Sequence, residues 1–488
     1  MSRCSGRLEI APDDSGRKRD WFNAKSLSTY ERGAAISSAP EFGGRRVLGH
    51  PVGLAYIVFT EAFERFSFYG MQALLVLYMA DHLLHPDVVR HVIGFDVFHH
   101  AIEAIFGKLS IEGLATQIFG LYVGLIYFAP VLGGLAGDRI FGQRKAVALG
   151  AILMAIGHFM MAFEAAFLFA LLALIVGAGL LKGNLAAQVG ALYKKSDQNR
   201  DAAYSIYTVS INVGAFLAPL VCGSLGEIYG WQYGFGAAGI GMLVGLAIYL
   251  AGGAHLPPDI APASRSSAPA LSRDDWRIIA ALFLLFLIAA LFWTAQSQVW
   301  DTYPLWIRDH VARRLFGFTI PITWFQSLDS FAVLAMAPVI LWLWKKQGER
   351  KVEPGDLTKI VIGCLLFAAA CGWIGLGQAL AGNNGRVSLV WPCAFHFICA
   401  WGYIYVAPIM LALVSRSAPA SVNAMLVGSY YLSIFIGGIA SGWLGHFYEI
   451  WPVSDFWFLH AGIVATGAAV ILLLRAPLIT ALKLETAP

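Results

Sequence analysis

The chain has 488 residues, of which 58% are hydrophobic and only 13% are charged, and its mean hydropathy is +0.66. A soluble protein of this length would carry about a quarter charged residues, so the composition excludes that class and predicts a polytopic membrane protein. The formal net charge of +4 gives no indication of a nucleic-acid partner, and we expect none.

The N-terminal part of the chain combines a polar tail with a charged apolar stretch. Residues 1–50 lack the apolar core of a signal peptide, and we expect a tail. Residues 51–79 are long enough to cross a bilayer, yet they contain Glu61, Glu64 and Arg65 on one helical face. Such charges cost roughly 2.5–3.5 kcal/mol each at bilayer depth. This face therefore predicts either an ion pair that fastens helices or a pathway for a solute or proton.

The connection at residues 80–115 is apolar but interrupted by charge and histidine, which favours a helix at the membrane interface. His91, His99 and His100 lack the tight spacing of metal ligands, so we interpret them as solvated and expect no metal site. The six cysteines form no CxxC pair and are interpreted as small hydrophobic residues.

Eleven further apolar runs follow in two groups. They lie near residues 116–136, 145–166, 167–192, 203–226, 232–252, 276–303, 324–345, 357–380, 388–414, 421–446 and 456–475. A Pro-, Ala- and Ser-rich stretch separates the groups and is typical of a linker. The predicted fold is all-α, with 12 transmembrane helices in two bundles: a tail at 1–50, bundles at 51–253 and 276–476, a linker at 254–275 and a tail at 477–488.

The distribution of basic residues predicts the orientation. If both termini and the linker are cytoplasmic, 26 of the 34 Lys and Arg residues lie inside and six outside, while Arg65 and Lys182 lie within spans. This asymmetry follows the positive-inside rule. A lysine in the middle of a span, such as Lys182, must face a cavity or an acid.

Five segments carry a resemblance to a known family. They are TEAFERFSFYG (60–70), GGLAGDRIFGQRK (133–145), GAGLLKGN (177–184), YSIYTVSINVGAFLAPLVCG (204–223) and FGFTIPITWFQSL (316–328). In this order they resemble the proton-dependent oligopeptide transporters, the POT branch of the major facilitator superfamily, over residues 51–476. The resemblance implies that superfamily's fold, alternating access and coupling to protons, with no cofactor, in a bacterial plasma membrane.

The resemblance also implies roles for individual residues. Glu61, Glu64 and Arg65 would couple protons, and Asp138 and Arg139 would gate the cytoplasmic side. The implied substrate contacts are Arg65, Tyr69, Tyr127, Lys182, Asn212, Trp293, Ser297, Gln298, Asp329, Tyr403 and Tyr430. Asparagine and tyrosine within a membrane also join helices, so that alternative stays open for Asn212 and Tyr127.

The second half departs from the family's pattern. Ser297 and Tyr403 stand where the family has glutamates, Asp329 replaces an asparagine, and Gly183 replaces the proline after Lys182. A zwitterionic peptide needs an anionic partner for its ammonium group, because an unpaired buried charge is costly. Asp329 is either that partner, a second proton carrier, or a carboxylate that stays hydrated at the rim.

Three functional hypotheses follow. The first is a proton-coupled importer of di- or tripeptides. The second is a proton-coupled transporter of a non-peptide solute, such as an amino-acid derivative or an organic anion. The third is a membrane receptor or scaffold that retains the fold, which the buried charges disfavour. We find no catalytic motif and expect no enzyme. The sequence leaves the oligomeric state open.

Overall fold

The computed structural model describes residues 46–194, 197, 199–259, 271–419 and 421–484. Most of the predicted N-terminal tail, the middle of the predicted linker and the last four residues lie outside the described residues. Two stretches at the linker's ends, residues 254–259 and 271–275, are described. The segment expected to be a C-terminal tail is helical as far as Leu482.

Long helices form the protein. They are α1 (Val52–Tyr78), α4 (Ile111–Ala136), α5 (Gln143–Met160), α6 (Phe167–Ala191), α7 (Asn199–Ala218), α9 (Trp231–Ala251), α10 (Arg273–Ser297), α12 (Thr323–Glu349), α13 (Asp356–Ala381), α14 (Val390–Ser417), α15 (Asn423–Gly445) and α16 (Val453–Leu473). Shorter helices are α2 (Pro86–Val89), α3 (Phe95–Phe106), α8 (Ser224–Tyr229), α11 (Thr302–His310) and α17 (Arg475–Leu482).

Short irregular elements interrupt or join these helices. The π-helical turns are Met79–Leu83, Gly137–Phe141 and Pro219–Gly223, and the 3-10 turns are Glu164–Ala166, Gly253–His255 and His446–Tyr448. Two small antiparallel hairpins pair β1 (Arg46–Val47) with β2 (His50–Pro51), and β3 (Arg314–Leu315) with β4 (Phe318–Thr319).

Ten helical stretches of the described chain are long and apolar enough to cross a membrane. The other two long helices are α1 and α5, whose hydropathy is lower because charged residues interrupt α1 and Arg144 and Lys145 begin α5. The predicted all-α membrane fold is therefore confirmed. The number of crossings, twelve, stays a prediction.

The long helices pack as two halves. In the first half, α1 packs against α7 and α9, and α6 packs against α4 and α5. In the second half, α14 packs against α12 and α13, while α16 packs against α13 and α10, and α10 against α15. The halves meet where α4 contacts α15 and where α7 contacts α12.

The contact between α4 and α15 depends on glycine. A Cβ atom on Gly120 would lie 2.4 Å from the carbonyl oxygen of Gly438, and one on Gly442 would lie 2.7 Å from the carbonyl oxygen of Thr116. No side chain fits at such distances, so the two backbones touch directly. We call this contact the glycine seam.

The connection between α1 and α4 contains the two helices α2 and α3. Helix α3 buries Phe95 and Ile102 and exposes Val97 and Ile105. Among the described residues, no group of three potential metal ligands is present. His99 lies 3.5 Å from Glu103 on its own helix instead.

Candidate transport site

The charged face of α1 is buried as a three-residue cluster. Glu61 and Glu64 are fully buried, and Arg65 is 8% exposed. The Nε atom of Arg65 lies 2.7 Å from Oε1 of Glu61 and 2.9 Å from Oε2 of Glu64. One guanidinium thus serves two carboxylates. A second cation or a proton is needed to balance this cluster, because uncompensated charge is costly in the membrane.

Lys182 on α6 supplies the second cation. Its Nζ atom lies 3.7 Å from the ring centre of Phe68 and 5.2 Å from that of Tyr127. It is within electrostatic range of Glu61 and Glu64. Its ammonium group is buried and makes no hydrogen bond with the residues described here. Cation–π contacts of a desolvated ammonium are worth about 2 kcal/mol or more, which offsets part of the cost of burial.

Helix α7 comes close to this cluster because of a glycine. A Cβ atom on Gly214 would lie 2.3 Å from the carbonyl oxygen of Ala62 and 2.8 Å from Cβ of Arg65. This approach brings the phenol of Tyr207 to Glu61. Sequence reasoning missed Tyr207, because a tyrosine in an apolar run is also typical of a core. Asn212, one of the predicted residues, donates to the carbonyl of Thr208 on its own helix (3.0 Å).

Tyrosines extend the site from the first half toward the second. Tyr69 on α1 interacts with the phenol of Tyr127 on α4. The ring of Tyr69 lies 5.1 Å from that of Trp300, which sequence reasoning also missed. Tyr69 is within electrostatic range of Tyr403 and Asp329 of the second half. Predicted residues from both halves are therefore brought together.

Aromatic residues form the wall of the site in the second half. Trp293 on α10 donates its Nε1–H to the hydroxyl of Tyr430 on α15 (3.3 Å), and its ring stands edge-on to that of Tyr403 (6.2 Å). Tyr403, where the family has a glutamate, thus belongs to an uncharged aromatic group. Ser297, at the other substituted position, is buried near the end of α10.

Gln298 lies in the interior of the second half instead. Its Nε2 donates to the carbonyl of Ser441 (3.1 Å) and lies 3.0 Å from Nε2 of His460, while Oε1 accepts from the hydroxyl of Thr302 (2.5 Å). A substrate contact would require these bonds to break. In this conformation Gln298 thus joins elements of the second half, and its role as a substrate contact stays a prediction.

Asp329 on α12 has a partner that sequence reasoning missed. Its side chain is 16% exposed, and its Oδ1 lies 3.7 Å from Nδ1 of His396 on α14. His396 is fully buried. Nothing near Asp329 in the sequence indicated this pairing, because the two residues lie on different helices.

Polar contacts join the halves at one end of the molecule, which we call the closed end. Arg308 on α11 forms ion pairs with Asp81 (2.5 Å) and Glu112 of the first half. Glu227 on α8 accepts from the backbone N–H groups of Ile322 and Thr323 (both 2.8 Å). These are the N–H groups that a helix start leaves unpaired.

The predicted gate residues lie in a π-helical turn after α4. Asp138 and Arg139 are both exposed. Asp138 accepts from Nε2 of Gln143 (3.1 Å) within the same loop. The glycines before them permit close packing, as their pattern indicated: a Cβ atom on Gly133 would lie 2.1 Å from the carbonyl oxygen of Gly179 on α6.

Comparisons with known proteins agree with this architecture. A protein-family model described as the POT family matches residues 144–259 and 260–449. The peptide transporter YePEPT of Yersinia enterocolitica is 30% identical over 475 residues, which cover 83% of this chain and 89% of that protein. A crystal structure of a peptide transporter POT in complex with sulfate superposes with a TM-score of 0.79 at 26% identity, covering 91% of this chain and 99% of that one. A POT family transporter in complex with 5-aminolevulinic acid gives 0.77 at 25%, with the same coverage.

The matched family model and the named peptide transporters define the class of the protein as a membrane transport protein rather than an enzyme. The chain belongs to the POT family and has the fold of the major facilitator superfamily. Transporters of this family need no cofactor.

Proposed function

We propose that the protein is a proton-coupled symporter that imports di- or tripeptides by alternating access. The observation that carries this proposal is the buried cluster of Glu61, Glu64 and Arg65 with Lys182 beside it. The Yersinia relative is named a peptide transporter. We place the protein in a bacterial plasma membrane with both termini in the cytoplasm, in bundles of residues 51–253 and 276–476.

Charge balance links the proton to the substrate. With two carboxylates and two cations, the cluster is formally neutral. When a peptide carboxylate binds Arg65 or Lys182, it competes with Glu61 and Glu64 for these cations. A glutamate that loses its cation in an apolar site takes up a proton, because the alternative is an uncompensated buried charge. Binding of substrate and binding of a proton therefore favour each other.

The site can orient a peptide across the two halves. Arg65 and Lys182, with Tyr69 and Tyr127 beside them, bind the carboxylate, and Asn212 is assigned to the same side. Asp329 serves the ammonium group from the second half, in place of the missing glutamates. The remaining wall is uncharged and suits side chains of varied size, and it consists of Trp293, Ser297, Tyr403 and Tyr430.

The closed end is the extracellular side under the predicted orientation. Arg308 and Glu227 then act as an outer gate that is shut in this conformation. Asp138 and Arg139 lie at the cytoplasmic side and are exposed to solvent. This arrangement fits a state from which a bound solute is released into the cell.

Replacing Glu64 with Gln tests the coupling. In proteoliposomes with an inward proton gradient, Glu64→Gln should abolish accumulation of a labelled dipeptide and leave exchange across the membrane partly intact. The matched control is Glu164→Gln, which changes a half-exposed glutamate paired with His82. Unchanged concentrative uptake by the Glu64 variant would overturn the assignment.

A second candidate function is proton-coupled transport of a non-peptide solute. Ser297 and Tyr403 in place of glutamates favour it, and a similar transporter was crystallised with 5-aminolevulinic acid. A thermal-shift screen of dipeptides, amino-acid derivatives and organic anions separates the two, because a ligand raises stability by RT ln(1 + [L]/Kd). Stabilisation by the non-peptide solutes alone would favour this second function.

A further inference from the structure

Asp329 and His396 form a second polar pair, which lies on α12 and α14 of the second half. His396 is fully buried, and neither of its ring nitrogens has a hydrogen-bond partner among the described residues. Its Nδ1 faces Oδ1 of Asp329 at 3.7 Å. The imidazole is buried while the carboxylate is partly open to the site. A buried polar group without a partner is unfavourable, so a proton or ligand that binds at the imidazole of His396 would be stabilised.

Phenols and a thiol surround the carboxylate of the pair. Asp329 is within electrostatic range of Tyr69 of α1, Tyr303 of α11, and Cys399 and Tyr403 of α14, and Cys371 of α13 lies near Cys399. The ring of Tyr303 stands edge-on to that of His396 at 5.1 Å. From α7, Phe216 packs against Phe331 of α12. Among the described residues, no lysine or arginine forms an ion pair with Asp329, so a proton or a bound cation can balance its charge.

A proton satisfies both members of the pair. On the imidazole it creates a cation that faces the carboxylate, and histidine is the side chain suited to exchange a proton near neutral pH. A substrate ammonium group that reaches Asp329 from the site supplies the same positive charge. The carboxylate cannot be fully neutralised by both cations at once without an excess positive charge, and excess charge is costly at this depth.

We propose that Asp329 and His396 form a proton-binding site at which the proton and the ammonium group of the substrate compete. This inference rests on the proposed transport of peptides and adds a regulatory step to it. The imidazolium form occludes Asp329 and weakens binding of zwitterions at acid pH. Deprotonation of His396 frees the carboxylate for the ammonium group, and the proton leaves to solvent through the site.

The test compares the affinity of purified protein for a free dipeptide and for its N-acetylated form as pH is lowered. In the wild type, the Kd of the free dipeptide relative to that of the acetylated form should rise at acid pH by up to about tenfold for each pH unit, because the coupling at Glu61 and Glu64 acts on both forms alike and cancels from this difference. His396→Gln and Asp329→Asn should each remove this difference. The control is His158→Gln, a fully buried histidine of α5 without a carboxylate partner, which should behave as the wild type.

The outcomes distinguish failure of the proposed peptide transport from failure of the competition at Asp329. If the wild type binds no peptide, both the proposed function and this inference fail. If it binds peptides but the Kd of the free dipeptide, relative to that of the acetylated form, still rises at acid pH in His396→Gln and Asp329→Asn, the competition is overturned and peptide transport stands. Isothermal titration in buffers of different ionisation enthalpy gives a second measurement: binding of the free dipeptide should release more protons from the wild type than from His396→Gln.

Discussion

Lys182 is held by two aromatic rings rather than by a hydrogen-bonded carboxylate. The contacts with Phe68 and Tyr127 keep the ammonium group within range of Glu61 and Glu64 without tying it to either. Such a cation can turn to a substrate carboxylate at little cost. An ammonium already in a hydrogen-bonded ion pair would have to leave its partner first.

The first prediction follows from this arrangement. Arg65→Ala and Lys182→Met should each reduce uptake of a free dipeptide by about tenfold or more, because truncating one partner of a buried charge pair costs 2–5 kcal/mol. An amidated dipeptide should show a much smaller loss. The comparison of initial uptake rates for the two substrates checks this.

Lys359→Met is the matched control for Lys182→Met. Lys359 on α13 is also a buried lysine over an aromatic ring, with its Nζ 4.4 Å from the ring centre of Trp344, but it pairs with Glu353 away from the site. Lys359→Met should change the uptake rates of the free and the amidated dipeptide equally. Equal losses for both substrates in Arg65→Ala and Lys182→Met would mean that these residues are only structural partners of the glutamates.

At the scale of elements, the sequence predicted the features that follow from the geometry of a single helix. The 3.6-residue period placed Glu61, Glu64 and Arg65 on one face of α1, and the structure joins them in one cluster. Glycine patterns indicated close helix contacts, and Gly133 lies against Gly179. Local spacing is sufficient for such features because the helix itself fixes the geometry.

Contacts between distant helices were not predictable in this way. His396 faces Asp329 from another helix, Tyr207 reaches Glu61 because Gly214 lets α7 approach, and Gln298 turns into the interior of its half. Each depends on how helices rotate about their axes during packing. A single sequence does not report that rotation, so the family pattern did not indicate the hydrogen bonds of Gln298 inside its half.

The second prediction concerns the start of α12. Glu227→Gln should weaken the closed end, because the carboxylate that accepts from two backbone N–H groups and the hydroxyl of Thr323 loses its charge. Charge-assisted hydrogen bonds are roughly twice as strong as neutral ones. We expect a larger fraction of molecules open at this end.

Spin labels at Ile228 and Phe316, which are exposed beside the closed end, allow the distance distribution between the halves to be measured. A longer distance should gain population in Glu227→Gln and not in the control Glu164→Gln. An identical distribution in both variants would remove Glu227 from the outer gate.

For the whole molecule, the third prediction concerns the ion pairs of Arg308. This side chain joins α11 to Asp81 and Glu112 across the halves. Because the pairs are partly exposed, each contributes only about 0.2–1 kcal/mol. Arg308→Ala should therefore shift the population toward an outward-open state by a few fold and slow net uptake without abolishing it.

Ionic strength provides an independent check of the same idea. Salt screens partly exposed charges. Raising the salt concentration should therefore increase the outward-open population of the wild type, as Arg308→Ala does. The same labelled positions report the shift. A variant that stays closed, or one whose binding of dipeptide in detergent is lost, would contradict a role confined to the gate.

The glycine seam has a consequence for how quickly the halves can exchange positions. Gly120 of α4 faces Gly438 and Gly442 of α15 backbone to backbone, and side chains pack across the contact only beside these glycines, as where the ring of Phe128 lies 5.6 Å from that of Phe435. At these glycines the two helix backbones can move past each other without a side chain having to change its rotamer. We therefore expect the seam to resist relative movement of the halves less than the polar contacts at the closed end do.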